Sequence, residues 1–175
     1  MGGALSGFAL RARTAAANLE YVEGWGMAVG AFSPVLRPRS VEELLECFRV
    51  ARERGLSLTL RGGGNSYGDA SINSRGAVLD CSRMDRVLAF DLATGVATLE
   101  PGVTIEKLWK TILPLGFWPR VVSGTMFPTV AGALAANIHG KNNFAVGTIG
   151  DACLEFDLAL PTGEVKTCNR ERNAD

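Results

Sequence analysis

The spacing of apolar residues changes several times along the chain, and each change marks an element. Val41, Leu44, Leu45, Phe48 and Ala51 recur at three- and four-residue intervals, the period of a helix with one buried face. Ser40 followed by Glu43 is the signature of a capping box at its start, and Gly55 closes it. Apolar runs at Ala31 to Leu36 and Leu56 to Leu60 flank this helix, so a strand–helix–strand unit is predicted to end at Arg61. Ala77 to Asp80, Arg86 to Asp91 and Gly95 to Glu100 read as short strands, with a turn at Thr94-Gly95 and a stop at Pro101-Gly102. Helical spacing returns over Thr104 to Leu113, where Ile105, Leu108, Trp109 and Ile112 share a face, and Pro114, Gly116 and Pro119 break it. Thr129 to Asn137 is small and apolar, which predicts a helical turn packed closely against another backbone or a ligand. Leu154 to Leu160 and Glu164 to Thr167, joined by Pro161-Thr162-Gly163, read as a hairpin. The fold class is α+β.

Composition narrows the picture. The 175 residues fit one domain, and 47% hydrophobic with 21% charged residues is ordinary for a packed core. Lys plus Arg equals Asp plus Glu at 18 each, so no global field recruits nucleic acid or an anionic membrane. Cys47, Cys81, Cys153 and Cys168 form no C-x-x-C, and with one histidine a Cys/His zinc site is excluded, so no metal is expected. A disulfide framework is disfavoured at this size, which points to reduced thiols and a cytoplasmic home. Cys47, within the helical pattern, and Cys153, beside a strand, read as small core residues. Met1 to Asn18 is rich in alanine and glycine, with Arg11 and Arg13. Its apolar runs are too short for a signal peptide or a membrane span. Met1-Gly2 with Ser6 formally matches a myristoylation pattern, one frequent by chance.

Glycine carries the chemistry. The strongest local feature is Arg61-Gly62-Gly63-Gly64-Asn65-Ser66-Tyr67-Gly68-Asp69, directly after a strand. Three glycines leave consecutive N–H groups unshielded and able to hold phosphate oxygens in one concavity, and Ser66 adds a hydroxyl donor. By itself a glycine triplet is equally a flexible turn. Tyr67 stands where a Rossmann fingerprint needs glycine, and Ala135 and Asn142 defeat a Walker A reading around Gly140-Lys141. The second feature runs from Ser123-Gly124-Thr125 through Thr129-Val130-Ala131-Gly132 to Ala136-Asn137-Ile138-His139-Gly140-Lys141-Asn142. Residues without bulk over this length make a surface for a flat, rigid ligand; they also suit tight helix packing. A lone histidine such as His139 is more often structural than catalytic.

Together, about sixty residues apart, these features resemble the FAD-binding domain of the vanillyl-alcohol oxidase and p-cresol methylhydroxylase superfamily, within it the decaprenylphosphoryl-ribose 2′-oxidase group. Gly24-Trp25-Gly26, the stretch 61–69, the stretch 113–125 and the stretch 129–150 carry the likeness. The resemblance implies a PCMH-type FAD-binding domain of two α+β subdomains over residues 21–175, after an N-terminal extension of residues 1–20, with FAD lying extended between the subdomains. It implies that Leu60 to Ala70 wraps the pyrophosphate. Gly124, Thr125, Thr129 to Gly132 (Val130 and Ala131 included) and Ala136, Asn137, Ile138 and His139 would line the rest of the cofactor. His139 and Lys141 become candidates for substrate contact near the ring, with Tyr67 a weaker one. Members with covalent flavin attached through the first loop carry histidine where Asn65 stands, so noncovalent FAD is expected. Such enzymes continue into a substrate domain and a returning segment, so the C-terminal part is expected to be missing beyond Asp175.

The implied chemistry is hydride transfer from an alcohol carbon of a sugar or polyprenylphosphoryl sugar to FAD. Alditol or aldonolactone oxidation and reduction of a lipid double bond share such a domain; nucleotide binding without turnover, or an inactive fragment, is the non-enzymatic alternative. The substrate is a small molecule or a lipid-linked sugar. A partner reductase and the electron acceptor stay open.

Overall fold

The computed structural model describes residues 18–174. The Met1-Gly2 pattern and all of the N-terminal extension before Asn18 lie outside the described residues. The fold clusters into two compact units, residues up to 81 with 159–165, and residues 82–158 with those from 166 on.

The first unit is built on a four-stranded sheet. Its elements are β1 (Asn18–Glu23), β2 (Gly30–Leu36), α1 (Val41–Glu53), β3 (Leu58–Arg61) and β4 (Ala77–Asp80), and the strand order is β1-β2-β4-β3. β1 runs antiparallel to β2, while β2 and β3 both run parallel to β4. The strand–helix–strand unit read from the sequence is therefore present, with β4 inserted between its two strands. All four residues of β4 are buried, as a central parallel strand requires. Val22, Val35, Val78 and Ile72 form the core cluster on one side of the sheet. Leu44, Cys47, Phe48, Val50 and Ala51 form the buried side of α1.

The start of α1 corrects one expectation. The Ser40 side chain accepts from the Glu43 N–H at 3.3 Å, but the Glu43 carboxylate accepts from the Arg39 N–H at 2.8 Å, one residue earlier than a capping box demands. Arg37, just after β2, joins this unit electrostatically. Its guanidinium binds Glu20 of β1 at 2.6 Å and Asp80 at the end of β4 at 2.9 Å, and the Glu20 hydrogen bond raises its pKa further.

The second unit begins with the antiparallel pair β5 (Val87–Phe90) and β6 (Ala97–Leu99), joined by a turn in which Gly95 takes φ of 71°. It continues through α2 (Ile105–Ile112), α3 (Val130–Ala135), α4 (Asn143–Val146) and α5 (Ile149–Ala152) to the strands β7 (Glu155–Ala159) and β8 (Val165–Asn169). Thr104 and Thr129 cap α2 and α3, accepting from the N–H groups of Lys107 and Gly132. Val103, Ile105, Ile112, Val121 and Ala133 are buried here. Buried Glu100 binds Arg86 at 2.7 Å.

Cys153 is half-buried, its sulfur 3.7 Å from the Glu155 carbonyl, because it stands in the bend between α5 and β7; it is not the core residue expected. Strand β1 and the short helices α4 and α5 were not anticipated. Among the described residues no helix is long and apolar enough to cross a membrane, and no cluster of three His, Cys, Asp or Glu side chains could hold a metal ion.

Candidate functional site

The first candidate region, in the first unit, is the loop that leaves β3. Arg61 turns its guanidinium inward, where Nη1 donates to Ser71 Oγ at 2.9 Å and Nη2 to the Glu23 carbonyl at 3.0 Å. It lies against Gly64, which takes φ of 67°; a Cβ there would overlap Nη2 and fall 2.7 Å from Cζ. Gly64, not Gly63, is thus the left-handed glycine of the triplet, and Arg61 braces the loop from within. The carbonyls of Gly63, Ser66 and Asp69 are spent on Asn65 Nδ2, the Trp25 N–H and the Ile72 N–H, at 2.9 to 3.0 Å. Among the described residues, the backbone N–H groups from Gly63 to Gly68 donate to none of them. Gly62 is half-buried; Gly63, Ser66, Tyr67, Gly68 and Asp69 are exposed. A run of free donors with inward-tied carbonyls is an anion cradle.

A second hairpin holds this loop in place, and the sequence reading had assigned it no site role. Gly24 and Gly26 flank Trp25 in the β1–β2 turn, and a Cβ on Gly24 would stand 2.7 Å from the Gly68 carbonyl oxygen. Only backbone without side chains can approach the loop so closely. Two glycines one residue apart, opposite a longer glycine run, were the available signal.

A second candidate region belongs to the second unit. Around α3 the backbone donors are already used: Val130 N–H goes to the Val103 carbonyl at 2.7 Å, Ala131 N–H to Pro101 at 3.2 Å, and Gly132 N–H to Thr129 Oγ1 at 3.3 Å. Thr129 is buried. What Ala131, Gly132 and Ala136 expose is a surface without bulk, matched by exposed Gly124 and Thr125. Ser123 Oγ fixes this last turn by donating to the Thr125 carbonyl at 2.9 Å.

His139 and Lys141 are both exposed on either side of buried Gly140. A Cβ on Gly140 would overlap the Val122 carbonyl oxygen, and Asn142 Nδ2 donates to the Arg120 carbonyl at 3.3 Å. The segment is therefore pinned to residues 120–122 by its glycine and its asparagine, which leaves the two flanking side chains outside. His139 Nδ1 stands 3.4 Å from the Gly140 carbonyl oxygen, a contact that favours the tautomer with its proton there and Nε2 free to accept. Half-buried Ile138 gives its carbonyl to the Ile149 N–H, and Asn137 Oδ1 accepts from the Gly150 N–H at 3.0 Å.

A family profile described as an FAD binding domain matches residues 32–169. The chain belongs to this family. It is 35% identical over 144 residues to decaprenylphosphoryl-beta-D-ribose oxidase of Mycolicibacterium smegmatis, a match that covers 82% of this chain and 31% of that protein. Its fold is similar to that of 6-hydroxy-D-nicotine oxidase from Arthrobacter nicotinovorans, with a TM-score of 0.78 at 23% identity over 87% of this chain and 33% of that one. It is also similar to a carbohydrate oxidase from Microdochium nivale, with a TM-score of 0.82 at 17% identity over 95% of this chain and 38% of that one. The chain spans about a third of the length of the relatives it matches. The α+β PCMH-type fold and FAD as cofactor are thereby established.

The residues present fit that cofactor on two counts. The free N–H run from Gly63 to Gly68 suits a pyrophosphate. In the same loop Asn65 Oδ1 is buried without a hydrogen-bond partner, a deficit of about 1–3 kcal/mol that a loop rearranging around a bound donor would relieve.

Proposed function

We propose that this chain holds FAD noncovalently in an oxidoreductase that takes hydride from an alcohol carbon of a sugar or a polyprenylphosphoryl sugar. The observation that carries the reading is the row of unused N–H donors from Gly63 to Gly68, in a loop that ties back the carbonyls of Gly63, Ser66 and Asp69. The name of the mycolicibacterial relative supports the substrate class. FAD, when bound, supplies the electron chemistry of its isoalloxazine ring.

The chain's own residues bind, orient and exclude. Gly63 to Gly68 would receive the phosphate oxygens, with the exposed Ser66 hydroxyl as a further donor. Around α3 the contribution differs: Ala131, Gly132 and Ala136 would offer shape, because the N–H groups of the first turn are occupied. His139 and Lys141 are the groups able to act on a substrate hydroxyl. His139 would accept the hydroxyl proton as hydride leaves the carbon, and Lys141 would stabilise the developing alkoxide. Asn65 cannot form the bond that a histidine at its position makes in covalent members.

Visible absorbance of the purified protein tests the cofactor, and acid precipitation tests its attachment. Yellow colour should pass wholly into the supernatant; colour kept in the pellet would refute noncovalent binding. Flavin bleaching on anaerobic addition of a polyprenylphosphoryl pentose tests the substrate class, and an unchanged spectrum would remove it.

A further inference from the structure

The segment carrying His139 and Lys141 leaves α3 through one residue with an uncommon backbone. Asn137 takes φ of 43°, one of three non-glycine residues with positive φ among those described. The geometry is that of a helix stop: the Asn137 N–H donates to the Leu134 carbonyl at 2.9 Å and the Ile138 N–H to the Ala133 carbonyl at 3.0 Å. Glycine is the usual residue at such a position, since it reaches the left-handed region without penalty. Asparagine here does something glycine could not. Its Oδ1 accepts from the Gly150 N–H in the first turn of α5, across a thirteen-residue excursion of the chain.

Everything at the base of that excursion supports the same closure. The Ile149 N–H donates to the Ile138 carbonyl at 2.9 Å, and His139 pairs with Thr148 in an isolated antiparallel bridge. Thr148 and Asp151 form a reciprocal capping box, the Thr148 N–H reaching the Asp151 carboxylate at 2.7 Å. A Cβ on Gly150 would stand 2.7 Å from Asn137 Oδ1, so that glycine makes room for the amide. The loop from Gly140 to Gly147 is therefore fastened at its base as well as through Gly140 and Asn142, and exposed His139 belongs to that base.

We infer that Asn137 is a positioning residue. It combines a left-handed backbone, which sets the direction of the chain out of α3, with a side-chain clamp on Gly150 that fixes where His139 and Lys141 stand. The inference rests on the reading above in assigning those two side chains a use, but the clamp is observable without flavin. Asn137→Gly keeps the backbone and removes the clamp. Gly150→Ala breaks the clamp from the opposite side while leaving Asn137 and its φ untouched. Asn137→Asp keeps the acceptor.

Two measurements on the full chain decide it. His139 is the one histidine in the sequence, so its Hε1 resonance is unambiguous in a proton spectrum. Lys141 is exposed within the loop, so the rate of tryptic cleavage after it reports opening of the base. Asn137→Gly and Gly150→Ala should both move the His139 resonance and speed cleavage about five- to tenfold, the opening expected when one hydrogen bond closing a loop is lost. Asn137→Asp should restore cleavage to within about twofold of wild type, because the acceptor on Gly150 is back. A wild-type cleavage rate and an unmoved resonance in both clamp-breaking variants would overturn the inference, as would failure of Asn137→Asp to rescue. A protein that binds no flavin would instead defeat the proposed function and leave these results as they stand.

Discussion

The Arg61–Gly64 contact sets up a test of what the first loop requires. In Gly64→Ala the new Cβ sits at φ of 67°, a conformation costing an L-residue about 1–2 kcal/mol. The methyl also overlaps Arg61 Nη2, and a guanidinium at the end of a flexible side chain will yield before the backbone does. Yielding costs its bonds to Ser71 Oγ and the Glu23 carbonyl, at about 1 kcal/mol each once water has replaced them. The expected loss is about 3–4 kcal/mol in urea unfolding, with FAD binding weakened by tenfold or more as the donors between Gly63 and Gly68 lose their register. The decisive experiment is the double variant. Arg61→Ala alone forfeits the same guanidinium bonds, to Ser71 Oγ, the Ser71 carbonyl and the Glu23 carbonyl, so Arg61→Ala with Gly64→Ala should be no less stable than Gly64→Ala alone. Strict additivity of the two single changes would show that the guanidinium and the glycine are independent. A Gly64→Ala protein within about 0.5 kcal/mol of wild type would refute the whole account of the loop.

Three further outcomes follow from the geometry. Gly140→Ala should destabilise by about 2–4 kcal/mol, because the obstructing atom is the Val122 backbone oxygen, whereas Gly124→Ala, with nothing within 4 Å, should stay within about 0.5 kcal/mol; urea midpoints compare them. The hydrogen bond from Arg86 holds the Glu100 carboxyl below the ordinary glutamate value of 4.5, so its stabilisation is present above that value and lost as pH falls through the lower folded-state pKa. Glu100→Gln should flatten the decline in stability from about pH 6 to about pH 3, and an unchanged slope would dismiss the pair as a contributor. Burial pushes the Cys47 thiol up to about 12 and the Cys81 thiol up to about 11, so iodoacetamide at about pH 8 should leave both unmodified in the native chain; labelling of Cys47 at the unfolded rate would contradict its place inside α1.

Most elements were legible because their apolar residues face inward with a fixed period. β1 was not, for a definite reason. Its alternation runs opposite to the usual sense: Leu19 and Tyr21 are exposed, while Glu20 is drawn toward Arg37 by the ion pair. The four-residue helices α4 and α5 are too short to complete a period, and α5 is specified by the Thr148–Asp151 capping box instead. The half-made capping box at Ser40 shows the complementary failure. The residue types allowed the reciprocal bond, and the Glu43 carboxylate found the Arg39 N–H one position earlier.

The two candidate small-residue regions look alike in sequence and differ in what they leave available. Both are rich in residues without side-chain bulk, and both precede or contain turns where backbone donors go unshielded. In the loop after β3, the carbonyls of Gly63, Ser66 and Asp69 find partners nearby and the N–H groups from Gly63 to Gly68 do not, so a row of donors is left. At α3 the carbonyls of Pro101 and Val103, nearly thirty residues earlier in the chain, arrive to take the N–H groups of Ala131 and Val130. That long-range pairing removes the donors an anion site would need and leaves exposed Ala131, Gly132 and Ala136 as a surface without bulk. No local pattern encodes it, because the deciding partners belong to the segment between β6 and α2. The same composition thus leaves free donors in one place and a surface without bulk in the other, and under the proposed function these would serve the anionic pyrophosphate and the planar ring of the cofactor.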